Sequence, residues 1–258
     1  MLLIAAALEE ELEVGLALCS EREKIRSGSV ILWRAVRGGQ TIHFLKTGVG
    51  PRKSAAILGE ALEETKPSYI LVIGYAGALD PGLKLGDLVA VERALAFSLD
   101  PSFPDWNHIR QDGEFELVHS ALLAHSAQSA GLSASTGTTL TSSYVLGDPE
   151  HKRLLCEKFQ ASIVDMETAA LAATAASRAV PLSCVRAISD EAQDTFLAPF
   201  SYNPSSSIAA RAKRLLDTGM RQTYREWKDH ASVARRSLSR FLSHYLKSYS
   251  IATLVDSI

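Results

Sequence analysis

Cysteine is scarce in this chain: 258 residues hold three, Cys19, Cys156 and Cys184, far apart and without a C-x-x-C pair. A disulfide scaffold, a zinc knuckle and a local redox pair are excluded, and the thiols read as reduced in a cytoplasmic protein. Long apolar runs are absent as well. The opening Met1-Leu2-Leu3-Ile4-Ala5-Ala6-Ala7-Leu8 has no basic flank and stops at Glu9-Glu10-Glu11. That is short of a secretory core and of the ~20 residues a membrane helix needs, so it reads as a buried first strand. The seven histidines show no H-E-x-x-H or similar spacing, and neither a metal nor a cofactor is expected. The glycine clusters match neither G-x-G-x-x-G nor G-x-x-x-x-G-K.

What is present is an ordinary globular composition, 47% hydrophobic and 22% charged, in a chain long enough to bury a substantial core. The net charge of -2 conceals an asymmetry. Residues 1–200 carry 17 basic and 25 acidic groups, whereas residues 201–258 carry 10 basic and 4 acidic. An acidic body disfavours nucleic acid as a partner, and the basic tail raises the question of one of its own.

Strands alternate with helical stretches along the body. Residues 2–7 read as a strand and 8–18 as an acidic amphipathic helix; 30–36 and 41–46 form strands around Gly38-Gly39. Pro51 opens a helix that Lys66-Pro67 ends, and residues 68–75 are a buried strand. Residues 87–96 are a further strand, 98–113 a loop and 114–130 a helix. After a strand at 136–140, a helix over 148–159 is capped by Asp148 with Pro149 at its first position. A strand at 161–164, a helix over 166–179 and a strand at 181–187 follow.

This alternation predicts a three-layer α/β/α sandwich around a central mixed sheet, with ligands at the C-terminal ends of the strands. Residues 1–203 form the expected catalytic domain. Residues 204–258 form a C-terminal helical extension, read as two segments separated near Asp229-His230.

Polar residues gather where strands end: Glu9-Glu10-Glu11, Gly48-Val49-Gly50, Gly74-Tyr75-Ala76-Gly77, Asp165-Met166-Glu167 and Arg186-Ala187-Ile188-Ser189-Asp190. Each alone has an ordinary structural explanation. A glutamate triplet suits a helix N-terminus, glycines mark turns, and an Asp there is commonly a cap. Their joint order carries more.

In that order, Ala-Leu-Glu-Glu-Glu, Gly-Val-Gly-Pro, Gly-Tyr-Ala-Gly-Ala-Leu with Leu85-Gly86-Asp87, Val-Asp-Met-Glu-Thr-Ala-Ala and Val-Arg-Ala-Ile-Ser-Asp-Glu-Ala together resemble the purine nucleoside phosphorylase/nucleosidase superfamily. Within it the chain is most similar to the methylthioadenosine/S-adenosylhomocysteine nucleosidases, over roughly residues 2–200. The resemblance implies an enzyme that cleaves the N-ribosidic bond of a 5′-modified purine nucleoside and releases adenine, as a homodimer. Such a cleavage passes through an oxocarbenium-like transition state. It needs an acid at the departing base, a placed nucleophile and acceptors for the sugar hydroxyls.

By resemblance, Asp190 carries the proton to the purine, assisted by Ser189, and Glu11 orients or deprotonates the attacking water. Glu167 accepts the ribose hydroxyls and Met166 packs on the sugar, with Asp165 standing where the family usually has Glu. Tyr144 and Val145 line the base pocket, while Leu8, Val49 and Phe200 make an apolar pocket for the 5′ group. Tyr75 replaces a usual Ser and alters the room beside the nucleophile. Residues 97–112 depart from the family loop that helps complete a neighbouring subunit's site. Three carboxylates stand where phosphorylases place an Arg, which favours water over phosphate as nucleophile. Phosphorolysis, including that of the hopanoid-associated phosphorylases, stays open as the alternative, as does a non-catalytic nucleoside-binding protein.

The tail has its own two readings. Leu238, Phe241, Leu242, Tyr245 and Leu246 form a stripe opposite Arg235, Arg236, Arg240 and Lys247. Such a stripe either packs on the body or a second subunit, or lies in a membrane interface as a peripheral contact.

Overall fold

Every residue of β1 (Leu2–Ala6) is buried, and its side chains divide by parity: Leu2, Ile4 and Ala6 enter one apolar cluster, Leu3 and Ala5 another. β5 (Tyr69–Ala78) divides likewise, with Tyr69, Leu71 and Ile73 on one side and Ile70 and Val72 on the other. A strand apolar on both faces belongs inside a sheet covered twice by helices. The computed structural model, which describes residues 1–99, 109–195 and 218–248, has that architecture.

The remaining strands are β2 (Ser20–Ser27), β3 (Val30–Arg37), β4 (Gln40–Lys46), β6 (Leu88–Leu99), β7 (Ile109–Glu116), β8 (Ala134–Thr141), β9 (Ile163–Asp165) and β10 (Leu182–Asp190). They form one ten-stranded mixed sheet in the order β10-β6-β8-β9-β5-β1-β4-β3-β2, with β7 paired to β6. β10 also pairs with β5, so the larger end of the sheet curls into a closed ring. β1, β4, β5 and β10 run parallel, bringing their C-terminal ends to one side. The expected mixed sheet is thus observed.

Helices cover both faces. α1 (Glu9–Leu16), α3 (Ser120–Ser129) and the long C-terminal α6 (Thr218–Ser248) bury their apolar residues in the first cluster. α2 (Pro51–Thr65) and α5 (Thr168–Ala176) cover the other face. α4 (Pro149–Phe159) places Leu155 in a smaller third cluster with Leu95, Phe97 and Leu140. Asp148 caps α4 as its sequence predicts, accepting the N–H groups of Glu150 and His151 ahead of Pro149.

Three expectations are corrected. Residues 109–116, read as loop and then helix, are strand β7, held antiparallel against β6, and α3 begins only at Ser120. β2 is not among the expected strands: its residues are polar and exposed except for Ile25, which packs against the second cluster, and its pairing with β3 holds it. The helix of the tail runs unbroken through Asp229-His230. The proposed division between residues 203 and 204 lies outside the described residues.

The tail's apolar stripe is inside the protein. Leu238, Phe241 and Leu242 have no exposed surface and Tyr245 has 1%; Phe241 and Tyr245 stack at 5.4 Å between ring centroids. Arg235, Arg236, Arg240 and Lys247 face outward. The peripheral membrane reading through this stripe is therefore corrected: the face it requires is buried in the main cluster. No helix among the described residues is long and apolar enough to cross a membrane. Replacing Phe241 by Ala is expected to destabilise the whole fold by about 3–5 kcal/mol in denaturant unfolding, the cost of emptying a core aromatic site. A change below about 1 kcal/mol, the level of a surface substitution, would show that α6 does not share the core.

Candidate active site

Six strand ends meet around one cleft. The N-cap and first turn of α1, directly after β1, supply Leu8 and Glu11, the turn after β4 supplies Val49, and the end of β5 supplies Tyr75 and Gly77. Tyr144 and Val145 follow β8, Asp165, Met166 and Glu167 come from the end of β9, and Ser189 and Asp190 end β10. Ten of the expected site residues share this cleft; Phe200 lies outside the described residues. The sequence separates them by as much as 182 positions, from Leu8 to Asp190, and the parallel strands bring them together.

Glu11 is 3% exposed. Its Oε2 accepts the backbone N–H of Leu8 at 2.8 Å and its Oε1 that of Tyr75 at 3.0 Å, so the carboxyl bridges two strand ends. Burial raises its pKa from 4.5 to about 7, and the charge of Glu167 adds to this; Arg186 and the two N–H donors oppose it. A carboxyl titrating near neutrality accepts a proton far more readily than an exposed one.

Glu167 is held from two sides: the N–H of Gly50 donates to Oε1 at 3.0 Å and Arg186 Nη2 lies 3.4 Å from Oε2. Burial pushes its pKa up, against the pull of Arg186. Gly50 has φ 96°, the left-handed region open to glycine, and this turns its N–H toward the carboxylate.

Arg186 organises the floor. It is 1% exposed; its Nε reaches Asp165 Oδ2 at 3.1 Å, its Nη2 donates to Thr168 Oγ1 at 2.8 Å, and its Nη1 donates to the Tyr75 carbonyl at 3.4 Å. Asp165 Oδ1 in turn accepts the Thr141 hydroxyl and the N–H groups of Glu167 and Thr168. Asp165 therefore performs the capping job its position suggested, and anchors Arg186 as well.

Asp190 closes the far end. Its Oδ1 accepts the Ser189 hydroxyl at 2.9 Å and its Oδ2 accepts Lys152 Nζ at 2.6 Å. Its carboxyl lies against the Gly77 backbone, where an added Cβ would stand 2.6 Å from Oδ2. Burial pushes the phenol of Tyr75 well above its usual range and that of Tyr144 to about 12, so both are neutral hydroxyls.

Sequence reasoning missed two residues. Arg186 sits in a quoted motif with no role assigned, and Lys152 was not singled out. Its signal was available: Lys152 lies three residues before Leu155 and seven before Phe159, on the inward face of α4, where a lysine is out of place.

The carboxyl groups lining the cleft are Glu11, Asp165, Glu167 and Asp190, with the cations Arg186 and Lys152 behind them. Arg186 already faces two carboxylates. Such a site suits a ligand rich in hydroxyls and ring nitrogens, and it can give and take protons at opposite ends. Among the described residues no three of His, Cys, Asp and Glu converge as a metal site would need.

Comparison with known proteins places these features in a group. The phosphorylase superfamily model matches residues 2–247. A 5′-methylthioadenosine/S-adenosylhomocysteine nucleosidase of Geobacillus thermodenitrificans is 27% identical over 199 residues, 72% of this chain and 82% of the relative. Among solved structures, the futalosine hydrolase of Helicobacter pylori superposes with TM-score 0.76 at 20% identity, covering 96% of this chain and 97% of that one. A variant of the 5′-methylthioadenosine nucleosidase of the same organism, with 5′-methylthioadenosine in its active site, gives TM-score 0.74 at 19% identity, covering 100% and 98%.

Proposed function

The chain belongs to the phosphorylase superfamily, and we propose that it is a purine nucleosidase, hydrolysing the N-ribosidic bond of a 5′-modified adenine nucleoside. The observation that carries this reading is the convergence of Glu11, Glu167 and Asp190, from three separate strand ends, on one cleft whose two buried cations, Arg186 and Lys152, are already paired.

Each group has a task that fits its surroundings. Asp190, seated by Ser189, gives a proton to N7 of the purine, so that the C1′–N9 electron pair leaves with a neutral base. Glu11, lifted by burial into the neutral range, takes the proton of the water that attacks C1′. Glu167 keeps lone pairs for the 2′- and 3′-hydroxyls beyond those committed to Gly50 and Arg186. Met166 packs on the sugar, Tyr144 and Val145 on the base, and Leu8 and Val49 border the 5′ substituent.

Tyr75 narrows the space beside Glu11, where its backbone N–H is bound. Water fits there with less steric cost than phosphate, and Arg186, the cation beside Glu167, is already committed to Asp165 and Glu167.

A homodimer is part of the proposal. Val145, the large apolar side chain left exposed among the described residues at 38%, stands on the rim of the cleft, where a second subunit would cover it. The three cysteines are free, which supports a reducing, cytoplasmic setting.

The test is base release, followed by chromatography, from methylthioadenosine, S-adenosylhomocysteine, adenosine and AMP. An apolar rim predicts that the two thioethers turn over at least ~10-fold faster than adenosine, a difference of ~1.4 kcal/mol in transition-state binding, and AMP slowest. Turnover of AMP at the rate of the thioethers would contradict the assignment of Leu8 and Val49. Gly77→Ala is a second test, since its methyl group must displace the Asp190 carboxylate. Base release is expected to fall ~100-fold, as for a catalytic group moved by about 1 Å. An unchanged rate would remove Asp190 from the reaction.

A further inference from the structure

Lys152 has none of its surface exposed, although it is charged and stands behind the cleft rather than in it. An ammonium without water costs several kcal/mol unless its hydrogen bonds are replaced, and an apolar side chain would serve packing as well. Its partners explain its place. Nζ donates to Asp190 Oδ2 at 2.6 Å and to the backbone carbonyl of Glu191 at 2.8 Å.

Both attachments are themselves fixed. α4, which carries Lys152, is anchored by the Asp148 cap one turn earlier. Glu191 is held through its side chain by Lys84 Nζ at 3.0 Å and the Leu85 N–H at 3.2 Å. With Ser189 on Oδ1 and Lys152 on Oδ2, the plane of the Asp190 carboxyl is set from two sides.

We propose that Lys152 is a positioning residue for the acid step: it fixes the Asp190 carboxyl against the leaving base and faces the negative charge that appears there when the proton departs. The proposal rests on the reading of Asp190 as the acid. In that step the Asp190 O–H bond breaks and N7–H forms, while the C1′–N9 pair goes to the purine. The water oxygen bonds to C1′ and its proton passes to Glu11. The carboxylate left behind lies beside a fixed ammonium, so charge develops where a counter-charge is already waiting rather than after solvent rearranges.

Lys152→Met removes the charge and keeps the length of the side chain. Base release from the best nucleoside of the panel is expected to lose ~100-fold in kcat with KM changed less than ~3-fold, because the base and sugar contacts are untouched. In an Asp190→Asn background the same substitution is expected to change kcat less than ~2-fold, since the group it serves is gone. Thermal melting establishes that each variant is folded, and where the Met variant does not fold, Lys152→Gln is read in its place. A folded variant whose kcat stays within ~3-fold of wild type, or losses that multiply across the two positions, would overturn the proposal. The two failures are distinguishable: a fast Asp190→Asn enzyme refutes the acid assignment, whereas a slow Asp190→Asn beside a fast Lys152→Met refutes only the role of Lys152.

Discussion

Asp190→Asn is expected to lower kcat for base release by ~10²–10⁴-fold, the range contributed by one placed general acid. The substituted amide is nearly the same size and keeps an acceptor for either Ser189 or Lys152, the two donors that address the carboxyl. Substrate binding should therefore survive, with KM within ~3-fold of wild type, and the loss should appear in kcat. Adenine is a poor leaving group as an anion, so the penalty is largest for unsubstituted purines. The measurement is a pair of saturation curves at neutral pH. A variant that keeps more than about a tenth of wild-type kcat would mean that the base leaves without help from this carboxyl, given the ~10²-fold lower bound for such a catalyst.

Glu11→Gln is expected to cost ~10²-fold or more in kcat and to remove a limb from the pH profile. Wild-type kcat/KM should fall as pH drops below about 7, because burial holds the Glu11 carboxyl protonated there and a protonated carboxyl cannot accept a proton from water. The sign of the stability effect is fixed by the same shift. With its folded pKa raised above the ordinary 4.5 to about 7, Glu11 binds its proton more tightly folded than unfolded. Its contribution to stability is present below pH 4.5 and lost as pH rises to about 7, an effect on the order of 3 kcal/mol. Glu167 is shifted in the same direction by burial and adds to the trend. The substitution should flatten the wild-type dependence of melting temperature on pH between those values. Gln also turns an NH2 toward the N–H of either Leu8 or Tyr75, both of which now donate to Glu11, so part of the rate loss comes from a shifted β5 end. A Glu11→Gln enzyme with the wild-type acid limb would assign that limb to another group.

The strand-end motifs that resemble the family were legible in sequence because each is short and contiguous, and the structure gathers them in one cleft: Glu11, Met166-Glu167 and Ser189-Asp190 all line it. The buried strands were legible for a different reason, since β1 and β5 are apolar on both faces and leave no other environment for their residues. β2 and β7 were not. Their side chains are mostly exposed; backbone ladders to β3 and β6 hold them, and only Ile25 of β2 and Ile109 and Phe115 of β7 reach the apolar clusters, too few for a periodic signal. The unbroken α6 is not legible at Asp229-His230 because two adjacent polar residues look like an interruption, although His230 turns inward to within 3.9 Å of Asp194.

The ion pairs beneath the site were the least accessible. Lys152 and Asp190 are 38 positions apart, and Arg186 meets Asp165 21 positions away. Neither pairing follows from local spacing, since each depends on which strand neighbours which in a ring of mixed directions. Composition, which gave an acidic body, did not reveal that the two cations nearest the chemistry are fully enclosed.

Water as the nucleophile is tested most directly by running the reaction in ¹⁸O-labelled water without phosphate, using methylthioadenosine, and weighing both products. Hydrolysis gives free adenine together with a sugar carrying one ¹⁸O at C1′, with no dependence on added phosphate. Adenine released only after phosphate is supplied, with an unlabelled sugar 1-phosphate as co-product, would contradict it and assign the nucleophile's place to an anion.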